Sequence, residues 1–394
     1  MLNETFKKMT TQKSVIRNIA EAGARRAAEI GYDNVFDYSL GNPSVPAPES
    51  VRKTLHELSD MDPIALHGYS PSLGIGSVKK AIADSLNRRF GMNYEAAHIF
   101  PTSGAAGAVA HAVRAVTEPG DEVLTFAPFF PEYMPYINTT GAELKVVPAD
   151  ITSFQINFDE LEKMMNPKVM ALLINTPNNP SGIVYSTETI DKLAKLLKEK
   201  EAEYGHDIFL ISDEPYREIV FEGVDAPFVA AHYEKTLTCY SFSKSLSLPG
   251  ERIGYVAVNP AYEEAALVVD MMGQISRGIG HNCPSSMMQF LIEKCIDDTS
   301  DVSVYETNKN ILYKELTRLG FEIVEPGGTF YIFPKALEED AVAFCNKAVE
   351  YDLLLVPSDS FGVPGHFRMA YCVPTEKVER SIAVFEKFVK ENYR

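Results

Sequence analysis

The segment Ser241-Phe-Ser-Lys-Ser-Leu-Ser-Leu-Pro-Gly-Glu-Arg-Ile-Gly254 is where the reading of this chain begins. It opens at the end of one short apolar run, Leu237–Ser241, and closes inside another, Ile253–Val258. Three more such runs lie upstream, at Val123–Ala127, Val169–Ile174 and Ile208–Ser212. Continuous apolar runs of this length, bounded by turn residues, suit strands covered on both faces, as in a parallel sheet. Between them the stretch Thr187–Tyr204 sets Ile190, Leu193, Leu196 and Leu197 on one helical stripe. This alternation predicts an α/β domain with helices on both faces of a mostly parallel sheet.

Three polar features follow these runs directly: Asn178-Asn179-Pro180, Asp213, and Ser243-Lys244. The carboxyl edge of an open α/β sheet is where such folds bind ligands. After about residue 285 the pattern changes. Ser286–Cys295, Val302–Leu319, Ala341–Tyr351 and Thr375–Glu391 read as helices, and Phe321–Val324, Phe330–Phe333, Leu353–Val356 and Phe367–Cys372 as strands. The expected division is a large domain over residues 41–296 and a smaller α+β domain formed by 1–40 with 297–394.

The chain's 394 residues exceed one ordinary core, and 45% hydrophobic with 23% charged residues is a globular balance. No apolar run reaches the length of a membrane span, and the first residues lack the apolar core of a signal peptide. A formal net charge of -17 argues against nucleic acid as a partner. The five cysteines are widely spaced with no CxxC pair, which implies neither a metal site nor a disulfide framework and fits a cytoplasmic protein.

The quoted segment sets a nucleophilic amine, Lys244, eight residues before Arg252, whose guanidinium fork suits a phosphate; Ser241 and Ser243 add hydroxyls. Asp213, in Ile211-Ser-Asp-Glu-Pro-Tyr216, is a helix N-cap candidate or a carboxylate for a cationic ring. Thr102-Ser-Gly-Ala-Ala-Gly-Ala108 precedes a helical run through Val116, and small residues at a helix N-terminus admit an anion.

Together these segments resemble the fold-type I pyridoxal-phosphate-dependent aminotransferases of classes I and II, from about Asp37 to the C-terminus. The resemblance implies the fold of that family and a Schiff base between pyridoxal 5'-phosphate and Lys244. It implies Asp213 on the ring nitrogen, and Tyr216 and Asn179 on the phenolic oxygen, with Asn179 also reaching the substrate carboxylate. It implies Phe130 on the ring face and Gly104, Ala105, Ala106, Ser241, Ser243 and Arg252 around the phosphate. Asn175-Thr-Pro-Asn-Asn-Pro-Ser-Gly182 departs from the family pattern at Thr176 and Ser181, neither of which is the contacting amide. Tyr69 matches a tyrosine that reaches the cofactor of a neighbouring subunit, which implies a homodimer with shared active sites.

The substrates so implied are small: an amino acid and a 2-oxo acid. Arg368 matches the arginine that grips the α-carboxylate, and Gly41 a glycine lining the substrate pocket. Arg277, five residues before Asn282, resembles the distal-carboxylate arginine of aspartate aminotransferases, which would make aspartate and 2-oxoglutarate the pair. An ordinary solvated arginine is the other reading, and Ala106 stands where one aspartate subgroup carries lysine. A C–S β-lyase shares the same constellation and is the alternative activity. A transcription regulator is disfavoured, because no helix-turn-helix with a basic recognition helix precedes the matching region.

Overall fold

The computed structural model describes Leu2, Glu4–Thr10 and Val15–Arg394. The chain packs as two units: one holds residues up to Ser44, Pro180–Gly182 and Ser303–Arg394, the other Val45–Asn179 and Ile183–Val302. In chain order the strands are β1 (Phe36–Asp37), β2 (Ile99–Thr102), β3 (Glu122–Phe126), β4 (Glu143–Val147), β5 (Val169–Asn175), β6 (Phe209–Asp213), β7 (Thr236–Ser241) and β8 (Gly254–Val258). They are followed by β9 (Tyr331–Ile332), β10 (Leu353–Leu354), β11 (Val356–Pro357) and β12 (Phe367–Ala370).

The second unit is built on a seven-stranded sheet of order β2-β8-β7-β6-β5-β3-β4. Every pairing from β7 to β4 is parallel, whereas β8 runs antiparallel to both β7 and β2. The apolar runs foresee five of these strands to within one residue at each end. Their side chains alternate between two dry faces, which is why the runs are continuous. On one face Ala171, Leu173, Ile211, Leu237 and Cys239 pack with helices Gly104–Val116 and Ala265–Gly278. On the other, Leu172, Ile174 and Leu210 meet the Ile190, Leu193 and Leu197 stripe of helix Thr187–Tyr204. Further along that face Ile99, Tyr240 and Tyr255 pack with helices Gly76–Phe90 and Ser286–Cys295.

Two strands escape the apolar-run criterion. β2 is short, carries Pro101 and lies at the sheet edge, where a residue without an amide hydrogen is tolerated. β4 is the opposite edge and is only partly covered, so its sequence Glu143-Leu-Lys-Val-Val147 is mixed rather than apolar.

The first unit has a three-stranded antiparallel sheet, β11-β12-β9, and a parallel pair, β1-β10. Here the sequence reading needs two corrections. Phe321–Val324 is not a strand: it joins Pro334–Ala336 through the Lys335 amide bonded to the Glu322 carbonyl, 3.0 Å, while Pro326-Gly327-Gly328 ends any ladder. Leu353–Val356 is two strands, because β10 pairs with β1 and β11 with β12. Helices Ser303–Leu319, Ala341–Val349 and Thr375–Tyr393 complete the unit.

Leu193 is fully buried between its helix and the sheet. Leu193→Ala is expected to cost about 2–5 kcal/mol, read as a lower urea midpoint for loss of far-ultraviolet circular dichroism.

Candidate active site

Strand register assembles the site in two adjacent rows at one edge of the seven-stranded sheet. In one row Asn175, Asp213 and Cys239 lie side by side at the ends of β5, β6 and β7. In the other, Thr102, Gly254 and Ser241 are neighbours across β2, β8 and β7. The reversal of β8 is decisive for the second row. Its first residues, not its last, reach the carboxyl edge, so Arg252 arrives beside the segment that follows β7.

Lys244 sits on a single helical turn, Phe242–Ser245, directly after β7. Ser241 caps that turn by accepting the Ser243 amide at 3.1 Å, and the two buried hydroxyls are 2.7 Å apart. A serine cap after a strand fixes where the turn begins and therefore where the lysine emerges. Lys244 is half-buried.

Glycine is required where the rows meet helix Gly104–Val116. A Cβ on Gly254 would lie 2.3 Å from the Tyr240 carbonyl oxygen and 3.0 Å from the Gly104 backbone. Gly104 itself has a φ of 72°, and a Cβ there would come within 2.8 Å of the Arg252 guanidinium. The backbone at Ser103 and Gly104 thus lies against Arg252, which donates to the Ser103 carbonyl at 3.4 Å and the Pro249 carbonyl at 3.1 Å. Arg252 holds a left-handed φ of 53°, a conformation that costs a non-glycine residue roughly 1 kcal/mol or more and concentrates at functional sites. The helix N-terminus, two hydroxyls and a guanidinium fork form a donor set suited to a phosphate.

Asp213 is buried. Tyr133 donates to its Oδ2 at 2.5 Å, while Oδ1 has no hydrogen-bond partner among the described residues. Burial pushes the carboxyl up to about 7; the Tyr133 hydrogen bond pulls it down and the neighbouring Glu214 charge adds to the rise. An unsatisfied buried carboxylate oxygen fits a cationic N–H donor, which is what a protonated pyridine offers.

Asn175 braces this corner. Its side-chain amide donates to the Asp213 carbonyl at 2.8 Å, and its side-chain oxygen accepts the Asn179 amide at 2.7 Å. Asn179 and Tyr216 are both buried beside it in sequence and strand order. Glu214 turns away: it accepts from Ser212 at 2.7 Å and from Arg217 Nε at 2.7 Å, and the Arg217 guanidinium lies 4.6 Å from the Tyr240 ring centre. Phe130 is half-buried, its ring edge-on to Tyr133 at 5.7 Å and 87°. Ala105 and Ala106 are half-buried on the first turn of their helix, Tyr69 is fully exposed, and Arg277 is exposed on a last helical turn, donating to Gln274 at 3.0 Å.

Sequence reasoning missed Tyr133, Asn175 and the Glu214–Arg217 pair. Asn175 stood in a quoted motif and closes an apolar strand, a signal that could have singled it out. For Tyr133 no spacing rule was on offer, since 80 residues separate it from Asp213.

The first unit contributes its own candidates. Arg368 sits in the central strand β12 and is buried, donating to the Ser39 carbonyl at 2.5 Å. Its guanidinium faces the rings of Tyr331 at 4.7 Å and Phe361 at 5.2 Å. An arginine that starts a strand is ordinarily a surface residue; burial among aromatics sets this one apart. A Cβ on Gly41 would lie 1.8 Å from the Tyr331 hydroxyl, so only glycine fits.

Sheet order, capped lysine turn, phosphate-suited donors and unsatisfied carboxylate together define a fold-type I pyridoxal-phosphate enzyme. The model of the family "Aminotransferase class I and II" matches residues 33–385, and the chain belongs to that family. It is similar to aromatic-amino-acid aminotransferase 2 of Thermococcus litoralis, 29% identical with 92% of this chain and 93% of that one covered. It is equally similar to aspartate aminotransferase of Thermotoga maritima, 29% identical with 94% and 95% covered. A crystal structure of an amino transferase from Eubacterium rectale superposes with a TM-score of 0.97, at 46% identity and full coverage of both chains. The protein is a transaminase acting on small molecules with pyridoxal 5'-phosphate as cofactor.

The Asp213 carboxyl gives the cofactor-free protein a pH signature. Its folded value near 7 exceeds the ordinary carboxyl value of 3.8, so between these the folded state binds more protons than the unfolded one. Stability from this group therefore falls as pH rises from about 4 to 7, by an order of a few kcal/mol. Cofactor-free Asp213→Asn is expected to outlast the parent in urea at pH 8, with the advantage gone below pH 4.

Proposed function

We propose that the enzyme transfers the amino group of an L-amino acid to a 2-oxo acid with aspartate and 2-oxoglutarate as its preferred pair, as a cytoplasmic homodimer with shared active sites. The observation that carries the site assignment is the unsatisfied Asp213 oxygen at the same sheet edge as the Lys244 turn and Arg252. When bound, pyridoxal phosphate supplies a carbonyl for the amino group and an electron-poor ring that spreads the charge of a deprotonated Cα. Lys244 would hold the cofactor through its amine and, when that amine is free, would act as the base that takes the substrate Cα proton and as the acid that gives it up again. Asp213 would keep the ring nitrogen protonated, Tyr216 and Asn179 would hydrogen-bond the phenolic oxygen, and Phe130 would cover the ring.

Gly104, Ala105 and Ala106 offer backbone amides to the phosphate, joined by Ser241, Ser243 and Arg252. Tyr69 extends to the phosphate held by a neighbouring subunit, a role its full exposure supports. Arg368 takes the substrate α-carboxylate as a two-pronged pair, and Gly41 leaves room beside it. Residues 41–296 serve as the cofactor domain and 1–40 with 297–394 as the smaller one.

Arg277 accounts for the dicarboxylate preference: it is an exposed cation able to meet a distal carboxylate, and the Thermotoga relative is named for aspartate. All five thiols are free, in keeping with a reducing compartment.

Lys244→Ala is expected to abolish amino transfer and the visible absorbance of the cofactor-loaded protein. Normal turnover by that variant would overturn the assignment. Arg277→Ala is expected to lose about tenfold or more in kcat/KM for aspartate and leave alanine unchanged; steady-state kinetics with both donors read the difference.

A further inference from the structure

We propose that Tyr133 is a positioning residue for amino transfer: it occupies one oxygen of Asp213 and so reserves the other for the ring nitrogen of the cofactor. The proposal rests on the Asp213 assignment above and extends it to a residue to which the sequence assigned no role. A carboxylate rotates about its last bond and has two equivalent oxygens, each with more than one lone pair. In a dry site, what decides its orientation is the donor already present. Here that donor is a buried phenol at 2.5 Å from Oδ2, the short distance of a charge-assisted bond.

The other groups facing this carboxyl do not compete. Glu214 is engaged by Ser212 and Arg217, Cys239 lies beside it as a buried thiol pushed up by burial, and the Tyr136 hydroxyl is pushed up by burial and by the charges of Glu132 and Asp213. Tyr133 is also mechanically tied to the proposed ring-covering residue. Its amide donates to the Phe130 carbonyl at 3.1 Å, and the two rings meet edge to face. One short turn thus carries both the face that covers the ring and the hydroxyl that orients the carboxylate.

The consequence concerns one proton shared between Asp213 and the ring nitrogen. A phenol donating to Oδ2 favours the ionised carboxylate and leaves the proton on nitrogen. Without the hydroxyl, the carboxyl's own proton affinity rises and the proton moves toward oxygen. A purely space-filling tyrosine would have no such effect.

The test loads the enzyme with pyridoxal phosphate carrying 15N in the ring and compares the parent, Tyr133→Phe and Tyr185→Phe, the last a buried control just ahead of helix Thr187–Tyr204. The parent and Tyr185→Phe are expected to show a protonated ring nitrogen. Tyr133→Phe is expected to keep its cofactor, move the 15N resonance toward neutral pyridine, and lose on the order of tenfold in kcat with KM unchanged. An unmoved resonance in Tyr133→Phe overturns the proposal. A neutral ring nitrogen in the parent instead overturns the Asp213 assignment beneath it. Should Tyr133→Phe fail to fold, replacing Tyr133 by 4-aminophenylalanine, a weaker donor of nearly the same shape, should move the resonance toward neutral pyridine; no shift there overturns the proposal equally.

Discussion

A carboxylate at the end of β6, out of reach of water, is the constraint around which the second unit is arranged. Leaving such a group half-satisfied costs folding free energy, because the charged form loses hydration that one phenol does not replace. Among the described residues the structure nonetheless supplies Asp213 with a single side-chain donor and braces its backbone through Asn175. In an enzyme that binds pyridoxal phosphate, the proposed counterpart is the ring cation, whose pairing with the free oxygen offsets the penalty only when the cofactor is in place. The same burial that makes the isolated carboxyl unstable makes its pairing with a cation strong.

The phosphate-suited corner obeys a different logic, that of close approach. Reversal of β8 brings Arg252 to the edge, and Gly254 and Gly104 remove the atoms that would keep backbones apart. The strain at Arg252 is sustained because both flanking elements are fixed: β8 by two ladders and the lysine turn by the Ser241 cap. Around Glu214 a buried ion pair is stacked on aromatic rings, and it holds the chain just past Asp213 in one conformation. Two adjacent carboxyls therefore have opposite circumstances. Glu214 is saturated and structural; Asp213 keeps one oxygen in reserve.

Much of this architecture was legible in the residues. Continuous apolar runs marked five strands because those strands are dry on both faces, and the stripe Ile190, Leu193, Leu196, Leu197 marked its helix because one side alone is buried. Polar residues directly after strands stood out because the carboxyl edge is where such chains leave the core. Edge strand β4 was illegible for the converse reason, since a half-covered strand needs no continuous apolar signature, whereas β2 is buried but only four residues long and interrupted by Pro101. In the first unit, Leu353–Val356 looked like one strand because local pattern records burial, not which partner each residue pairs with.

The sequence by itself determined the α/β class and the strand-end positions of Lys244, Asp213 and Asn179, since these depend on neighbours a few residues away. Only the tertiary structure decided that β8 runs backward, that Arg368 is buried among aromatic rings, and that Tyr133 meets Asp213. Those facts join residues tens to hundreds of positions apart. Such meetings are set by how sheets and helices pack, and packing leaves no local periodicity to read.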